Sequence, residues 1–241
     1  MDIYEFHRRL PRQGPGDPAA TARAFGLLEG LAHAPRVLDI GCGNGAQTRE
    51  LANLCHGGQL VAVDIYHPYL QDLRGALTNG TSVLPVQASM YQLPFVPQSF
   101  DLLWSEGAIY IMGFERGLNA WRPLLRNDGF TVVSELSWFT NDRPQPAQEF
   151  WATAYPGMAS VDENRAAAER TGYRMLDHFP LPAAAWHDNY YGPLKTLMND
   201  MASASPDPDT RALIDEMQLE IDLFERYSDS YGYVFYVLRA E

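Results

Sequence analysis

The apolar residues fall into short blocks of two kinds. Arg36–Ile40 (RVLDI), 59–63 (QLVAV), 82–86, 100–104 (FDLLW) and 130–136 (FTVVSEL) are apolar at successive positions. That is the pattern of strands covered on both faces. Between them, Ala46–Leu54, 68–77 and 114–125 carry apolar residues at helical spacing. Asp17-Pro18 reads as an N-cap followed by Pro in the first turn, and opens a helix through residue 32. Asn127-Asp128-Gly129 reads as the turn that closes the helix 114–125. Strands alternating with helices predict a doubly wound, mostly parallel α/β sheet.

Past residue 136 the regularity breaks. The stretch 138–156 is rich in Pro and aromatics, and no period stands out. A helix is predicted over 161–171, a sixth strand over 172–177, two helices over 186–202 and 209–227, and a last strand over 231–238 (YGYVFYVL). The excursion between Phe179 and Tyr231 is too long for a simple turn and reads as a lid or a substrate-side cap.

Composition narrows the classes. With 241 residues and 46% hydrophobic content the chain can build a packed core. The net charge of −12 and the lack of a basic run argue against a nucleic-acid partner. Two cysteines, Cys42 and Cys55, support neither a disulfide framework nor a metal cluster, and no His/Asp/Glu spacing calls for a metal. The opening MDIYEFHRRLPRQ is basic but lacks the apolar stretch of a signal peptide, and no window has the ~18 apolar residues of a spanning helix. The expectation is a cytoplasmic protein without a membrane partner.

The strongest chemical signal is 37–45 (VLDIGCGNG), a strand feeding a glycine turn and then a helix. Open α/β sheets bind ligands at the carboxyl ends of such strands. Asp64 ends the next strand, where a carboxylate can accept from both hydroxyls of a ribose. Gly41-x-Gly43-x-x-Ala46 also satisfies the relaxed dinucleotide fingerprint, and a tight turn can need glycine without any ligand. Asp39, on the strand itself, puts negative charge near the loop. That charge suits a ligand with an ammonium and a sulfonium, and opposes a pyrophosphate.

These residues closely resemble motif I of the class I S-adenosylmethionine (SAM)-dependent methyltransferases. Residues 61–64 (VAVD) resemble the family's second motif. Leu93-Pro94-Phe95 with Ser99-Phe100-Asp101-Leu102 resembles the LPF…SFD segment of the methyltransferase type 11 group, and 124–129 (LLRNDG) resembles the turn before its fifth strand. The resemblance covers about 37–136. Residues 105–110 (SEGAIY) depart from the group's usual endings. Together with 12–16 (RQGPG), 113–118 (GFERGL) and 134–138 (SELSW), they look like a bacterial subgroup without a settled substrate.

The resemblance implies a Rossmann-like, mostly parallel seven-stranded sheet whose last strand is antiparallel, with a helical insertion before it. It implies one domain over 1–241: a flap and helix (1–33), a SAM-binding core (34–137), substrate-side insertions (138–230) and the last strand (231–241). It places Gly41, Cys42, Gly43 and Gly45 against the methionine part of S-adenosyl-L-methionine, Asp39 near its amino group, Asp64 on the ribose and Ile65 on the adenine face. Ser89 stands where the family often has an Asp that bonds the adenine amino group, so the backbone of Met90 gains weight there. Ser105 falls near the methyl group.

The acceptor side is read from position and chemistry. Glu106, just past the fourth strand, is a candidate base or an attractor of a cationic substrate; it is equally suited to a cap or an internal salt bridge. His187 is a candidate base because imidazole titrates near neutrality, or a packing residue. Tyr110, Glu135, Trp138, Trp186 and Tyr190 are candidate substrate contacts, the aromatics forming either a wall for a flat or cationic molecule or ordinary core. Arg12 is suited to a carboxylate of cofactor or substrate, reached from the N-terminal flap, or to solvent. The favoured function is methyl transfer to a small-molecule acceptor, N- or O-transfer before C-transfer. An NAD(P)-dependent oxidoreductase and a non-catalytic SAM-binding protein are the alternatives. No oligomeric state is assigned.

Overall fold

The computed structural model describes residues 2–77 and 82–241. A sheet forms the centre, in the order β3-β2-β1-β4-β5-β8-β7. Its strands are β1 (Arg36–Ile40), β2 (Gln59–Asp64), β3 (Val83–Gln87), β4 (Phe100–Glu106), β5 (Leu125–Trp138), β7 (Tyr173–Pro180) and β8 (Tyr231–Ala240). A two-residue β6 (Ala159–Ser160) is added to the end of β5. β1 pairs parallel to both β2 and β4, whereas β8 runs antiparallel to β5 and β7. The mostly parallel sheet with an antiparallel last strand is the architecture that the resemblance implies.

The helices are α1 (Ile3–Arg8), α2 (Pro18–Gly26), α3 (Ala46–Leu54), α4 (His67–Ala76), α5 (Phe114–Trp121), α6 (Gln145–Ala154), α7 (Val161–Arg170), α8 (Ala183–Trp186), α9 (Gly192–Ser203) and α10 (Pro208–Tyr227). Local chemistry sets several starts. Asp17 accepts from the Ala19 amide at 2.7 Å, with Pro18 in the first turn of α2. Ser160 and Glu163 form a reciprocal capping box on α7. One core cluster carries Phe6, Leu51, Trp104, Trp186 and Phe224; a second, on the other face, carries Leu103, Ile109, Leu118 and Tyr236. No helix among the described residues is long and apolar enough to cross a membrane.

The structure departs from expectation at six places. Helix α2 ends at Gly26 rather than near residue 32. Helix α5 ends at Trp121, because Pro123 tightens the chain into a 3-10 turn. Asn127-Asp128-Gly129 does not close that helix but lies inside β5. There Asp128 takes a φ of 59° and the ladder to β4 shifts register, so the turn-forming residues serve a bulge. Helix α6 occupies the stretch read as irregular, with Pro144 just before it and Pro146 in its first turn. The helix expected over 186–202 is interrupted by a π-helical turn, His187–Tyr191, between α8 and α9. Helix α1 was too short to show a period; Asp2 caps it and Phe6 anchors it with no exposed surface.

Candidate active site

The sheet changes its direction of winding between β1 and β4, and the crevice there opens at their carboxyl ends. The glycine loop after β1 crosses the end of β2. The amides of Gly41 and Cys42 both donate to the Val63 carbonyl, at 2.8 and 2.9 Å. Gly41 has a φ of 74°, and a Cβ on it would sit 2.5 Å from that of Ala108. Gly43 donates to Asp64 Oδ2 at 2.9 Å, Asn44 to Gln13 Oε1 at 2.8 Å, and Gly45 to the Cys42 carbonyl at 2.9 Å. Every amide from Gly41 to Gly45 therefore has a protein acceptor, and none is left to cradle a pyrophosphate.

A cavity of about 490 Å³ fills the crevice. One end is bounded by Gly41, Gly43, Asp64, Ile65, Ser89 and Met90, the other by Tyr110, Trp151, Tyr155, Trp186, Tyr190 and Glu220. Asp64 Oδ1 accepts from the Tyr66 amide at 2.8 Å, and burial pushes its carboxyl above the ordinary range despite these bonds. Ile65 is 54% exposed beside it and offers an apolar face. Ser89 Oγ accepts from the Tyr91 amide at 3.3 Å, and the Met90 carbonyl accepts from Trp121 Nε1 at 3.0 Å. This set fits S-adenosylmethionine: a carboxylate for a diol, an apolar ledge for a base, and acidic surroundings for a sulfonium.

The other expected cofactor contacts stand behind the loop. Asp39 has no exposed surface; it accepts from Thr48 Oγ1 at 2.6 Å and from Gln47 Nε2 at 3.3 Å, which ties β1 to α3. Burial pushes its carboxyl up to about 7. Cys42 is buried, its thiol raised by desolvation. Gly45 takes a φ of 83° as the N-cap of α3. Ser105 Oγ donates to the Ile40 carbonyl at 2.9 Å, joining β4 to β1.

Of the expected acceptor-side residues, Tyr110, Trp186 and Tyr190 line the cavity. Glu106 faces away from it, against the N-terminal segment. Its Oε1 accepts from Thr21 Oγ1 at 2.7 Å and Trp104 Nε1 at 2.9 Å, and its Oε2 lies 3.6 Å from Arg12 Nη2. The internal salt bridge is thus the geometry found, and Arg12 spends its charge there. Burial raises the Glu106 carboxyl, opposed by Arg12. His187 is half-buried against Phe224, with ring centroids 5.7 Å apart, outside the cavity. Trp138 packs on Tyr231 in the core. Glu135 is buried beside Tyr155, and burial pushes its carboxyl up to about 8.

Among the groups that line the cavity without having been anticipated are a histidine and a carboxylate. His7, on α1, has Nδ1 2.9 Å from the Ile3 carbonyl and Nε2 3.1 Å from the Tyr190 hydroxyl. A carbonyl only accepts, so Nδ1 carries the proton and a neutral ring leaves Nε2 to accept from Tyr190. Burial lowers the imidazole's pKa and keeps it neutral. Glu220 comes from α10. The aromatic run at 186–191 pointed to Tyr190, but only the docking of α1 reveals its histidine partner. That docking is specific: Arg8 forms two bonds to Asp72 at 2.8 and 3.0 Å, and Tyr69 donates to the Tyr4 carbonyl at 2.9 Å.

The chain is similar to known proteins in part of its sequence and in its fold. Residues 37–129 match the family described as methyltransferase domain. A malonyl-[acyl-carrier protein] O-methyltransferase of Legionella pneumophila is 34% identical over 90 residues, 37% of this chain and 32% of that one. O-methyltransferase resE of Aspergillus sclerotiorum is 24% identical over 147 residues, 58% of this chain and 55% of that one. The chain thus spans a third to a half of the length of these relatives. A SAM-dependent methyltransferase of Geobacter sulfurreducens, solved with S-adenosyl-L-homocysteine, superposes with a TM-score of 0.80 at 17% identity, covering 99% of this chain and 98% of that one. Residues 37–129 thus match the methyltransferase domain family, and the whole chain shares the fold of the Geobacter sulfurreducens enzyme.

Proposed function

We propose that the protein is an enzyme that transfers a methyl group from S-adenosylmethionine to a small-molecule acceptor, at nitrogen or oxygen. The observation that carries this reading is the continuity of one cavity, from the Gly41–Asp64 edge to an aromatic end roofed by the N-terminal residues Tyr4 and His7. When bound, SAM supplies an electrophilic methyl carbon. Asp64 would hold its ribose hydroxyls, Ile65 would lie against its base, and Gly41 and Gly43 would let its amino-acid part approach the backbone. The saturated loop amides count against the dinucleotide alternative.

The chain's own groups then position the acceptor and exclude water. The Tyr190 hydroxyl is placed to take a proton from an acceptor in the cavity as it passes its own proton to Nε2 of the neutral His7. This role passes to His7 and Tyr190 because Glu106 and His187 do not face the cavity. Calorimetry tests the cofactor: S-adenosylhomocysteine is expected to bind and NADH is not, and the reverse result overturns the proposal.

A further inference from the structure

Beyond the Asp64 edge, the inner part of the cavity has a chemistry of its own. Glu220 Oε1 accepts from the Tyr191 hydroxyl at 2.9 Å, while Oε2 has no protein hydrogen-bond partner among the described residues. Around it stand aromatic rings: Trp186 and Tyr233 with centroids 4.9 Å apart, Tyr110 and Tyr155 edge to face at 5.8 Å, and Tyr190. Glu135, buried with its carboxyl against the Tyr155 hydroxyl, adds a second acid near these rings. No Lys or Arg lines the cavity among the described residues. An anionic ligand would find no counter-charge here, whereas a cation would find ring faces and a carboxylate.

We propose that this inner chamber recognises a positively charged amine, with the cation against the Tyr and Trp faces and paired to Glu220. The proposal rests on the methyltransferase reading in so far as the ammonium compound is the acceptor, through another nucleophilic atom or through that nitrogen once it has lost its proton. It makes Glu220 a specificity-determining residue and sets the substrate class as ammonium compounds rather than carboxylates or phosphates. Burial raises the Glu220 carboxyl above its ordinary range, so a bound cation favours its charged form.

The test uses the full chain saturated with S-adenosylhomocysteine, titrated calorimetrically with choline and with its uncharged isostere 3,3-dimethylbutan-1-ol. Choline is expected to bind about tenfold tighter, the scale of a desolvated cation–π and charge contact. Glu220→Gln keeps the size and an acceptor for Tyr191, and is expected to bring the two ligands to near equality with S-adenosylhomocysteine affinity unchanged. Tyr110→Leu, at a 40% exposed position, provides a second variant and is expected to weaken choline alone. Equal binding of the isosteres, binding of neither, or a choline preference that survives Glu220→Gln overturns the proposal. Repeating the titration without S-adenosylhomocysteine separates the two readings. Failure of S-adenosylhomocysteine to bind removes the methyltransferase reading, while a choline preference in the free protein still reports on the chamber.

Discussion

Replacing Arg12 by Met removes one partner of a buried ion pair and leaves the other in place. The Arg12 side chain is 11% exposed and that of Glu106 2%, with 3.6 Å between Nη2 and Oε2. At that distance, with an effective dielectric near 20, the attraction is roughly 5 kcal/mol, and the desolvation of both charges offsets much of it. Removing the arginine alone strands a carboxylate that keeps its bonds from Thr21 and Trp104 on Oε1 but nothing on Oε2. The expected loss is about 3 kcal/mol at pH 8. Glu106 already has a raised pKa in the fold, and losing Arg12 raises it further. The folded variant therefore binds a proton more readily than the unfolded chain. Its penalty is complete above the raised pKa and fades as pH falls toward the ordinary value of 4.5. Urea unfolding at pH 8 and pH 5.5 reads the difference. Arg12→Met combined with Glu106→Gln is expected to recover most of the loss, since the amide oxygen can still accept from Thr21 and Trp104. A pH-independent gap, or a double variant no more stable than the single one, refutes the reasoning.

Other outcomes follow from the same geometry. Asp64→Ala is expected to weaken S-adenosylhomocysteine by about tenfold or more in calorimetry, the scale of lost bonds to a charged acceptor. Gly43→Ala puts a Cβ 2.4 Å from Gln13 Oε1 at a φ of 54°, and so should break the Gln13–Asn44 bond. A loss of ~1–2 kcal/mol in stability and faster protease cleavage near residue 13 are expected. His7→Phe leaves the buried Tyr190 hydroxyl without its acceptor, for a loss of ~1–2 kcal/mol at pH 8 in urea melts. The wild-type imidazole is held neutral, so the wild type loses stability as pH falls below 6.5 through the lowered folded value. The variant lacks that decline, and the gap between the two is expected to close on acidification.

The glycine-loop end of the cavity was legible in the sequence because its signals are local. A strand, a glycine turn and a following acid lie within 37–64, and their spacing alone places them at one end of a parallel sheet. The glycine loop, Asp64 and Ile65 meet as that spacing requires. Asp39 shows the limit: its place on the strand was readable, but which way its carboxylate points depends on Thr48 and Gln47, one helix away. The acceptor side is built from long-range packing. His7 stands in a polar run, HRRL, and reads as surface until α1 docks on α4. Glu220 lies in a helix with seven other carboxylates or bases facing water in the usual amphipathic way, and only its turn toward Tyr191 singles it out. Glu106 stood out by its place just past the fourth strand, yet its direction is decided by Arg12 and Thr21, far away in the chain.

The place of β8 sets a schedule for folding. Its ten residues pair on one side with nine of β5 and on the other with seven of β7. β7 therefore touches the rest of the sheet only through a strand made later, after α8, α9 and α10 have been synthesised. Until Tyr231–Ala240 leaves the ribosome, β5 and β7 both present open edges, and the buried tyrosines of β8 have no site to fill. A nascent chain halted before residue 231 would be a half-built sheet exposed to aggregation, and closure of the active-site crevice would wait on this non-local pairing.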